Sequence, residues 1–208
     1  MSFREIQTAT DVINYQNRLT SNYPDRPEII KWIIREIQRI EAENPTVAEL
    51  CIGSGQLARA MCEAVPKIQY VGLDFMQPFI DFTAGNHVIQ GVNAAFVCAD
   101  LTADEWPSLL SNAASSAPFN AIVSMQSLHD VGGSESTSHI YQQCQRLLSP
   151  KGFLINADLI TQVGDEENAR PGRLTVPHHL ELLSKAGFTT SSCLFQNDLF
   201  GICIGENG

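Results

Sequence analysis

The segment from residue 46 to residue 74 constrains the fold of this chain most strongly. It begins with an apolar run, passes through Gly53 and Gly55 into a helical pattern, and returns as a second apolar run that ends at Asp74. Glycines suit a strand that turns sharply into a helix, because glycine adopts backbone angles that other residues avoid and leaves no side chain facing a ligand. This order of strand, glycine turn, helix and strand predicts a βαβ unit of the nucleotide-binding kind.

The acid that closes the second strand has a defined place in such a unit. Asp74 follows Gly55 by 19 residues, a spacing at which a carboxylate lies beside the turn and accepts hydrogen bonds from both ribose hydroxyls. The turn also satisfies the dinucleotide fingerprint, since Ala58 stands at its third position. Glu49 argues against a dinucleotide, because a carboxylate just before the turn would oppose a pyrophosphate held by the positive end of a helix.

Glu49, Gly53 and Gly55, in this order, resemble the first motif of class I S-adenosylmethionine-dependent methyltransferases. The ligand of that family has no phosphate and carries a sulfonium and an ammonium group near the turn, so an acidic residue there is favourable. Cys51 departs from the motif, because the family commonly has glycine at this position. The resemblance spans residues 46–205 and implies S-adenosylmethionine as cofactor and S-adenosylhomocysteine as product. No metal is expected, because the adjacent His178 and His179 point in different directions and have no further ligands at suitable spacing.

The resemblance also assigns cofactor contacts that follow the ends of successive strands. It implies that Asp100 reaches the adenine amino group and that the residues after Asp74 make apolar contacts with the adenosine. For Asp100 a second interpretation stays open, because Thr102 and Glu105 form a capping-box pattern that would make Asp100 a loop or capping residue. The full set of expected cofactor residues is Glu49, Gly53, Gly55, Asp74, Phe75, Met76, Asp100, Leu101, Met125 and Gln126.

Residues 125–130 follow the fourth predicted strand and are expected to face the reacting methyl group, because ligands bind outside the carboxyl ends of strands in an open α/β sheet. Leu128 and His129 match a Leu-His pair that the family commonly shows here. His129 is a candidate general base, since an unperturbed histidine has a pKa of about 6.5. It is also a candidate structural residue that holds the loop. The Asn-Pro-Pro-Tyr motif of many amide and base N-methyltransferases is absent, which argues against those substrates.

The first part of the chain is predicted to be helical. The domain boundary is expected near residue 45, with residues 1–45 as an N-terminal cap or lid and residues 46–208 as the methyltransferase-like domain. In that family such a leading segment often folds over the cofactor, so the resemblance makes Tyr15, Arg18 and Tyr23 candidate lid residues. A surface helix with one packed tyrosine is the alternative.

A second candidate lid follows the fifth predicted strand. Residues 161–176 contain glycines, a proline and several charges, a composition typical of a mobile loop. Arg170 and Arg173 make this loop a candidate substrate lid. A solvated loop without a substrate role is the alternative.

The pattern as a whole predicts a three-layer α/β fold. We expect a Rossmann-like seven-stranded sheet, mostly parallel, with an antiparallel strand in a terminal hairpin and helices on both faces. Residues 189–195 and 199–204 are predicted to form that hairpin, which distinguishes this sheet from an all-parallel dinucleotide fold. A chain of 208 residues fits one such domain.

Composition excludes some partners. A net charge of -10 argues against nucleic acid, whose binding depends on Lys and Arg that neutralise phosphates. The six cysteines form no Cys-x-x-Cys pair and are predicted to be reduced, buried residues rather than disulfides or metal ligands. The start lacks the apolar core of a signal peptide and no run has the length of a membrane span, so the sequence predicts a cytoplasmic protein without a membrane partner.

Three functions are consistent with a nucleotide-binding βαβ unit in this chain. The first is transfer of the sulfonium methyl group to a small-molecule acceptor by in-line displacement. The second is a protein that binds S-adenosylmethionine or S-adenosylhomocysteine without turnover. The third is an NAD(P)-dependent oxidoreductase, which is disfavoured because none of the four tyrosines is followed four positions later by lysine, as the short-chain class of comparable size requires. The acceptor, the acceptor atom and the oligomeric state stay open.

Overall fold

The computed structural model describes residues 5–114 and 118–208. In these residues seven strands form one sheet. The strands are β1 (Thr46–Leu50), β2 (Gln69–Asp74), β3 (Asn93–Cys98), β4 (Phe119–Met125), β5 (Leu148–Leu159), β6 (Thr190–Gln196) and β7 (Phe200–Glu206). Their order in the sheet is β3-β2-β1-β4-β5-β7-β6. The chain order reverses between β1 and β4, and ligands of open α/β sheets bind at the carboxyl end of such a switch point.

Helices cover both faces of this sheet. They are α1 (Ala9–Asn22), α2 (Arg26–Ile37), α3 (Gln56–Ala64), α4 (Gln77–Ala84), α5 (His87–Gln90), α6 (Trp106–Ala113), α7 (Leu128–Val131), α8 (Ser134–Leu147) and α9 (Val176–Ala186). Buried side chains of α2 to α5 share one apolar cluster with the sheet, and those of α6 to α9 share a second. The three-layer prediction is therefore confirmed.

The two clusters follow from strand and helix periodicity. In β1, Val47 enters the first cluster and its neighbour Ala48 enters the second, because successive side chains of a strand point to opposite faces. On α2, Ile29, Ile33 and Ile37 are buried in the first cluster, as their helical spacing predicts. Helix α2 is therefore part of the packed core.

The C-terminal hairpin is also confirmed. Strand β7 pairs antiparallel with both β5 and β6, whereas β1 to β5 pair parallel. Helix α9 ends at Gly187, whose φ of 99° is in the left-handed region that favours glycine. The Asp25 side chain does not cap α2, and its carboxylate accepts a hydrogen bond from Asn197 Nδ2 at 3.0 Å.

Helix α1 lies against α4. Ile6, Val12 and Phe79 form a small buried cluster there, and the rings of Tyr15 and Phe79 are 5.4 Å apart. This contact holds the N-terminal helix beside the carboxyl ends of the strands. None of the helices in the described ranges is both long and apolar enough to cross a membrane.

Candidate active site

One cleft of about 1050 Å³, counted with the space open to solvent, lies at the carboxyl ends of β1, β2, β3 and β4. Four carboxyl groups and the guanidinium of Arg26 line it, so its walls are acidic. The lining residues that the sequence predicted are Tyr15, Glu49, Asp74, Phe75, Asp100, Leu101, Met125 and Gln126. The structure therefore gathers these predicted residues from four strand ends into one site.

The glycine turn has positive φ at three positions. Gly53 has a φ of 52° and nothing within 4 Å of where a Cβ would stand, so the backbone is open there. At Gly55, with a φ of 74°, a Cβ would stand 2.7 Å from Thr83, so the missing side chain lets α4 approach rather than a ligand. Cys51 has a φ of 59°, which explains why glycine is common at this position in the family that the motif resembles.

The backbone at Cys51 leads to a stability prediction. A non-glycine residue in the left-handed region costs about 1–2 kcal/mol, and a β-branched residue fits least well. We expect the free energy of unfolding of Cys51→Val, measured by urea denaturation, to be at least about 1 kcal/mol lower than that of Cys51→Gly. Cys62, buried within α3, is the control, because glycine in a helix costs about 1 kcal/mol and valine should be the better substitution there. The same order of valine and glycine at both positions would contradict the backbone argument.

Asp74 ends β2 and is held by the backbone. Its Oδ2 accepts a hydrogen bond from Gly53 N and its Oδ1 accepts one from Met76 N, each at 2.9 Å. Burial raises the pKa of Asp74, and these backbone donors offset part of that effect. The Phe75 N–H also acts on this carboxylate, which has about four lone-pair sites and so keeps capacity for a hydroxyl donor from the cleft.

The two residues after Asp74 have different surroundings. Phe75 lines the cleft and its side chain is 44% exposed. The side chain of Met76 packs against the cluster of Ile6, Val12 and Phe79, and the residue is not among those that line the cleft. Phe75 is thus placed for the expected apolar contact, whereas Met76 contributes the backbone N–H that orients Asp74.

Glu49 lies at the bottom of the cleft. It is 2% exposed, and it accepts a hydrogen bond from Tyr70 Oη at 2.8 Å. Burial raises the pKa of Glu49 to about 8, so the carboxyl is mostly protonated at neutral pH in the protein alone. A cation placed beside it would lower that pKa and ionise it.

Arg26 is a site residue that the sequence analysis missed. It stands at the start of α2, is 6% exposed and lines the cleft. Its guanidinium donates to Gln126 Oε1 and to Gln56 Oε1, the latter at 3.1 and 3.3 Å. Burial lowers its pKa, but an arginine stays charged in a protein. The cleft therefore holds a preorganised cation that can bind a carboxylate.

Asp100 has a role in its own loop, whereas its contact with the adenine amino group stays a prediction. Asp100 Oδ1 accepts hydrogen bonds from Thr102 N and Thr102 Oγ1, each at 2.8 Å. The capping box of Thr102 with Glu105 does not form, since α6 begins after Glu105 without a side-chain cap. Asp100 thus shapes its own loop while it lines the cleft, beside the buried Leu101.

His129 belongs to a hydrogen-bonded pair. Its Nδ1 lies 2.6 Å from Asp158 Oδ1, and its backbone N donates to Asp158 Oδ2 at 3.0 Å. Asp130 Oδ2 lies 3.4 Å from His129 Nε2. Burial by itself would lower the pKa of His129, but the hydrogen bond and charge of Asp158, helped by Asp130, raise it. The pair therefore orients the ring and leaves Nε2 as its basic atom, beside Asp130, which lines the cleft.

The candidate lid residues separate into two groups. Tyr15 lines the cleft, whereas Tyr23 is half-buried and packs edge-on against Phe200, with ring centroids 5.8 Å apart. Arg170 is exposed. Arg173 is half-buried, and its Nε is buried without a hydrogen-bond partner in the described structure.

The loop that carries these two arginines packs onto α7. A Cβ on Gly172 would overlap the carbonyl oxygen of His129, so only glycine permits this approach. The charge of Arg173 acts on the His129 ring and partly offsets the effect of Asp158 on its pKa. The loop therefore covers His129, beside the part of the cleft lined by Asp130.

Within residues 5–114 and 118–208 no group of three or more His, Cys, Asp or Glu side chains is arranged to hold a metal ion. The polar side chains that line the cleft are four carboxyl groups, the Arg26 guanidinium and several hydroxyl and amide groups. Such a set suits an organic ligand with hydroxyl, ammonium and carboxylate groups.

Comparison with known proteins gives a family. A family model described as "Methyltransferase domain" matches residues 47–152, just over half of the chain. No curated protein sequence matches the chain closely enough to count as a relative.

Solved structures share the fold. Human N-acetylserotonin methyltransferase in complex with SAM is 16% identical, with a TM-score of 0.66, over 97% of this chain and 57% of its own. PigF with SAH is 17% identical, with a TM-score of 0.70, over 100% of this chain and 63% of its own. The [4+2]-cyclase SpnF is 16% identical, with a TM-score of 0.66, over 86% of this chain and 80% of its own. The chain thus spans less than two thirds of the first two, and such low identities show the fold alone.

Proposed function

The chain belongs to the methyltransferase domain family, and from this membership we propose that it is an S-adenosylmethionine-dependent methyltransferase acting on a small-molecule acceptor. The observation that carries the proposal is the grouping of Glu49, Asp74 and Arg26, all buried, around one cleft at the glycine turn. When bound, S-adenosylmethionine supplies an electrophilic methyl group that a nucleophile of the acceptor displaces in line.

The adenosine part of the cofactor fits the β2 and β3 ends of the cleft. We assign the ribose hydroxyls to Asp74, whose oxygens keep free lone pairs, and the adenine face to the exposed ring of Phe75. Asp100 is assigned to the adenine amino group, with Leu101 beside it. The open backbone at Gly53 leaves room for the ligand.

The methionine part fits the β1 and β4 ends. Arg26 is a cation ready for the methionyl carboxylate, and its hydrogen bond to Gln126 ties this contact to the end of β4. Glu49 is placed for the ammonium group, and Met125 lines the same part of the cleft. A ligand with one anion and two cations thus meets one buried cation and several acids, which supports this cofactor over a dinucleotide.

The raised pKa of Glu49 makes cofactor binding release a proton. At pH 7 Glu49 is mostly protonated in the protein alone, because burial raises its pKa to about 8. The positive charges of the cofactor should ionise it, so calorimetry at pH 7 in buffers of different ionisation enthalpy should detect release of close to one proton per cofactor. The release should fade above pH 8, where Glu49 has already lost its proton.

The control for this prediction keeps the fold intact. Glu49→Gln can still accept the Tyr70 hydrogen bond and should bind the cofactor with almost no proton release. Glu63→Gln, on the half-exposed surface of α3, should release as many protons as the wild type. Equal release by Glu49→Gln and wild type would remove Glu49 from the ammonium site.

His129 is proposed as the general base for an acceptor that must lose a proton, such as a hydroxyl. Its Nδ1 donates to Asp158, so Nε2 carries the lone pair that accepts the proton. Asp158 then stabilises the imidazolium, and Asp130 lies close enough to contribute. Positioning in the cleft supplies the remaining acceleration, because approximation of bound reactants lowers the barrier without any further catalytic group.

The acceptor side is proposed to lie between α1 and the loop that covers α7. Tyr15 lines the cleft from α1, and Arg173 lies beside His129 with an unpartnered Nε. We keep Tyr15 and Arg173 as acceptor-side residues. Tyr23 and Arg170 are not among the described residues that line the cleft, so we do not assign them to the acceptor side.

Small-molecule chemistry in the cytoplasm remains part of the proposal. The net charge of -10 disfavours a nucleic-acid acceptor. The described cysteines are all free thiols, which suits a reducing compartment.

One alternative has a specific observation behind it. A [4+2]-cyclase shares this fold, and methyl transfer needs no obligatory side chain, so the cofactor cleft is compatible with binding without methyl transfer. A screen with S-adenosylmethionine labelled in its methyl group and a panel of hydroxyl, amine, thiol and carboxylate acceptors separates the two. Transfer of label to any acceptor supports the enzyme, and cofactor binding with a persistent blank across the panel favours the non-catalytic alternative.

A further inference from the structure

Two cysteines face each other across the C-terminal hairpin, away from the cleft. Cys193 of β6 and Cys203 of β7 are partners in the antiparallel register, and both are free thiols. Residues directly opposite in such a pair point to the same face, with Cβ atoms about 4.5–5.5 Å apart. Cys203 belongs to the second core cluster and Cys193 packs against it, on strands that contact α9.

The spacing of this pair suits a disulfide. A disulfide needs Cα atoms about 4.4–6.8 Å apart, a range that directly opposed antiparallel residues satisfy. The Cys203 thiol is close enough to shift the pKa of Cys193, and Cys193 Sγ donates a hydrogen bond to the Phe195 carbonyl oxygen at 3.1 Å. The register shifts between Cys193 and Phe195, so the strand is irregular at this point and can adjust. Among the described residues no other two cysteines are strand partners.

The two thiols differ in access and reactivity. Cys203 is 1% exposed, whereas Cys193 is half-buried at the edge strand. The Cys203 thiol lowers the pKa of Cys193, which favours the nucleophilic thiolate there. An oxidant from solvent therefore meets Cys193 first, and Cys203 stands ready to react with the product.

We propose that Cys193 and Cys203 form a redox modification site that takes a peroxide as its oxidant. The Cys193 thiolate attacks one oxygen of hydrogen peroxide, the O–O bond breaks, and the other oxygen leaves as hydroxide while Cys193 becomes a sulfenic acid. The Cys203 sulfur then attacks the Cys193 sulfur, forms the S–S bond and releases the sulfenic oxygen as water. The two thiols lose two electrons in total to the peroxide, and a dithiol reductant reverses the step.

The test oxidises the folded full-length chain with hydrogen peroxide, alkylates the remaining thiols and maps the peptides by mass spectrometry. We expect a peptide linked through Cys193 and Cys203, lighter by two hydrogens and restored by dithiothreitol. In Cys203→Ser, the sulfenic acid of Cys193 should persist and be trapped by dimedone. The exposed Cys98 is the control, and Cys98→Ser should form the same link at the same rate.

Several results would overturn the proposal. They are a link that appears only in denaturant, a link to another cysteine or between chains, and both thiols fully alkylated after peroxide has oxidised Cys98. The wild-type experiment needs no substitution, so a variant that fails to fold leaves it decisive. The proposal does not rest on the methyltransferase activity and stands or fails separately from it.

Discussion

Replacing Asp74 with asparagine is expected to weaken S-adenosylmethionine binding by at least about 100-fold, because a hydrogen bond to a charged group contributes about 1.5–3 kcal/mol and the amide leaves the ribose hydroxyls one acceptor oxygen without charge. The amide also presents a donor to either Gly53 N or Met76 N, which both donate to the carboxylate in the wild type. The glycine turn then loses one of the hydrogen bonds that hold it against β2. Calorimetric titration with the cofactor and with S-adenosylhomocysteine measures the loss.

Two controls separate binding from folding. Asp198→Asn removes the same charge from the exposed turn between β6 and β7 and should leave the affinity unchanged. Thermal unfolding of Asp74→Asn without ligand shows whether the domain is intact. A folded Asp74→Asn that binds the cofactor as tightly as the wild type would remove the ribose assignment.

Replacing His129 with glutamine is expected to slow methyl transfer to a hydroxyl acceptor by about 100-fold to 10,000-fold, the usual range for loss of a general base. Cofactor affinity should change little, because His129 does not line the cofactor cleft. Single-turnover rates with an acceptor from the screen measure the effect. His139→Gln is the matched control, since this histidine lies on the surface of α8 with its side chain 54% exposed.

The pH profile tests the base more sharply than the rate alone. A base works in its unprotonated form, so turnover should rise with pH through an inflection above 6.5, because Asp158 raises the pKa of His129 above this ordinary value. In Asp158→Asn the inflection should move to lower pH, because burial then lowers the pKa without the carboxylate to oppose it. A profile that does not change in Asp158→Asn, together with unchanged turnover in His129→Gln, would leave His129 a structural residue.

Much of the fold could be predicted from the sequence because its signals are local. The helical pattern predicted after the glycine turn is α3, and the antiparallel hairpin and the class I methyltransferase resemblance are confirmed. Each rests on a turn residue and on a periodicity of neighbouring side chains. Cys51 stands where the family commonly has glycine, and its backbone adopts the left-handed conformation that glycine favours.

The site residues that were missed depend on contacts between distant parts of the chain. Arg26 meets Gln126 across 100 residues, and only the docking of α2 onto the sheet brings them together. Asp158 reaches His129 because β5 extends past its pairing with β4, a register that no local pattern specifies. The missing side chain of Gly55 was expected to leave room for a ligand. In the structure it leaves room for Thr83.

Direct calorimetric titration tests most simply whether the cleft binds S-adenosylmethionine. The purified chain is titrated with S-adenosylmethionine, S-adenosylhomocysteine, NADH and NADPH, with Asp74→Asn run in parallel. We expect saturable binding of the first two ligands alone, and its loss in the variant. Saturable binding of a nicotinamide cofactor, with none of S-adenosylmethionine, would contradict the account and restore the oxidoreductase alternative.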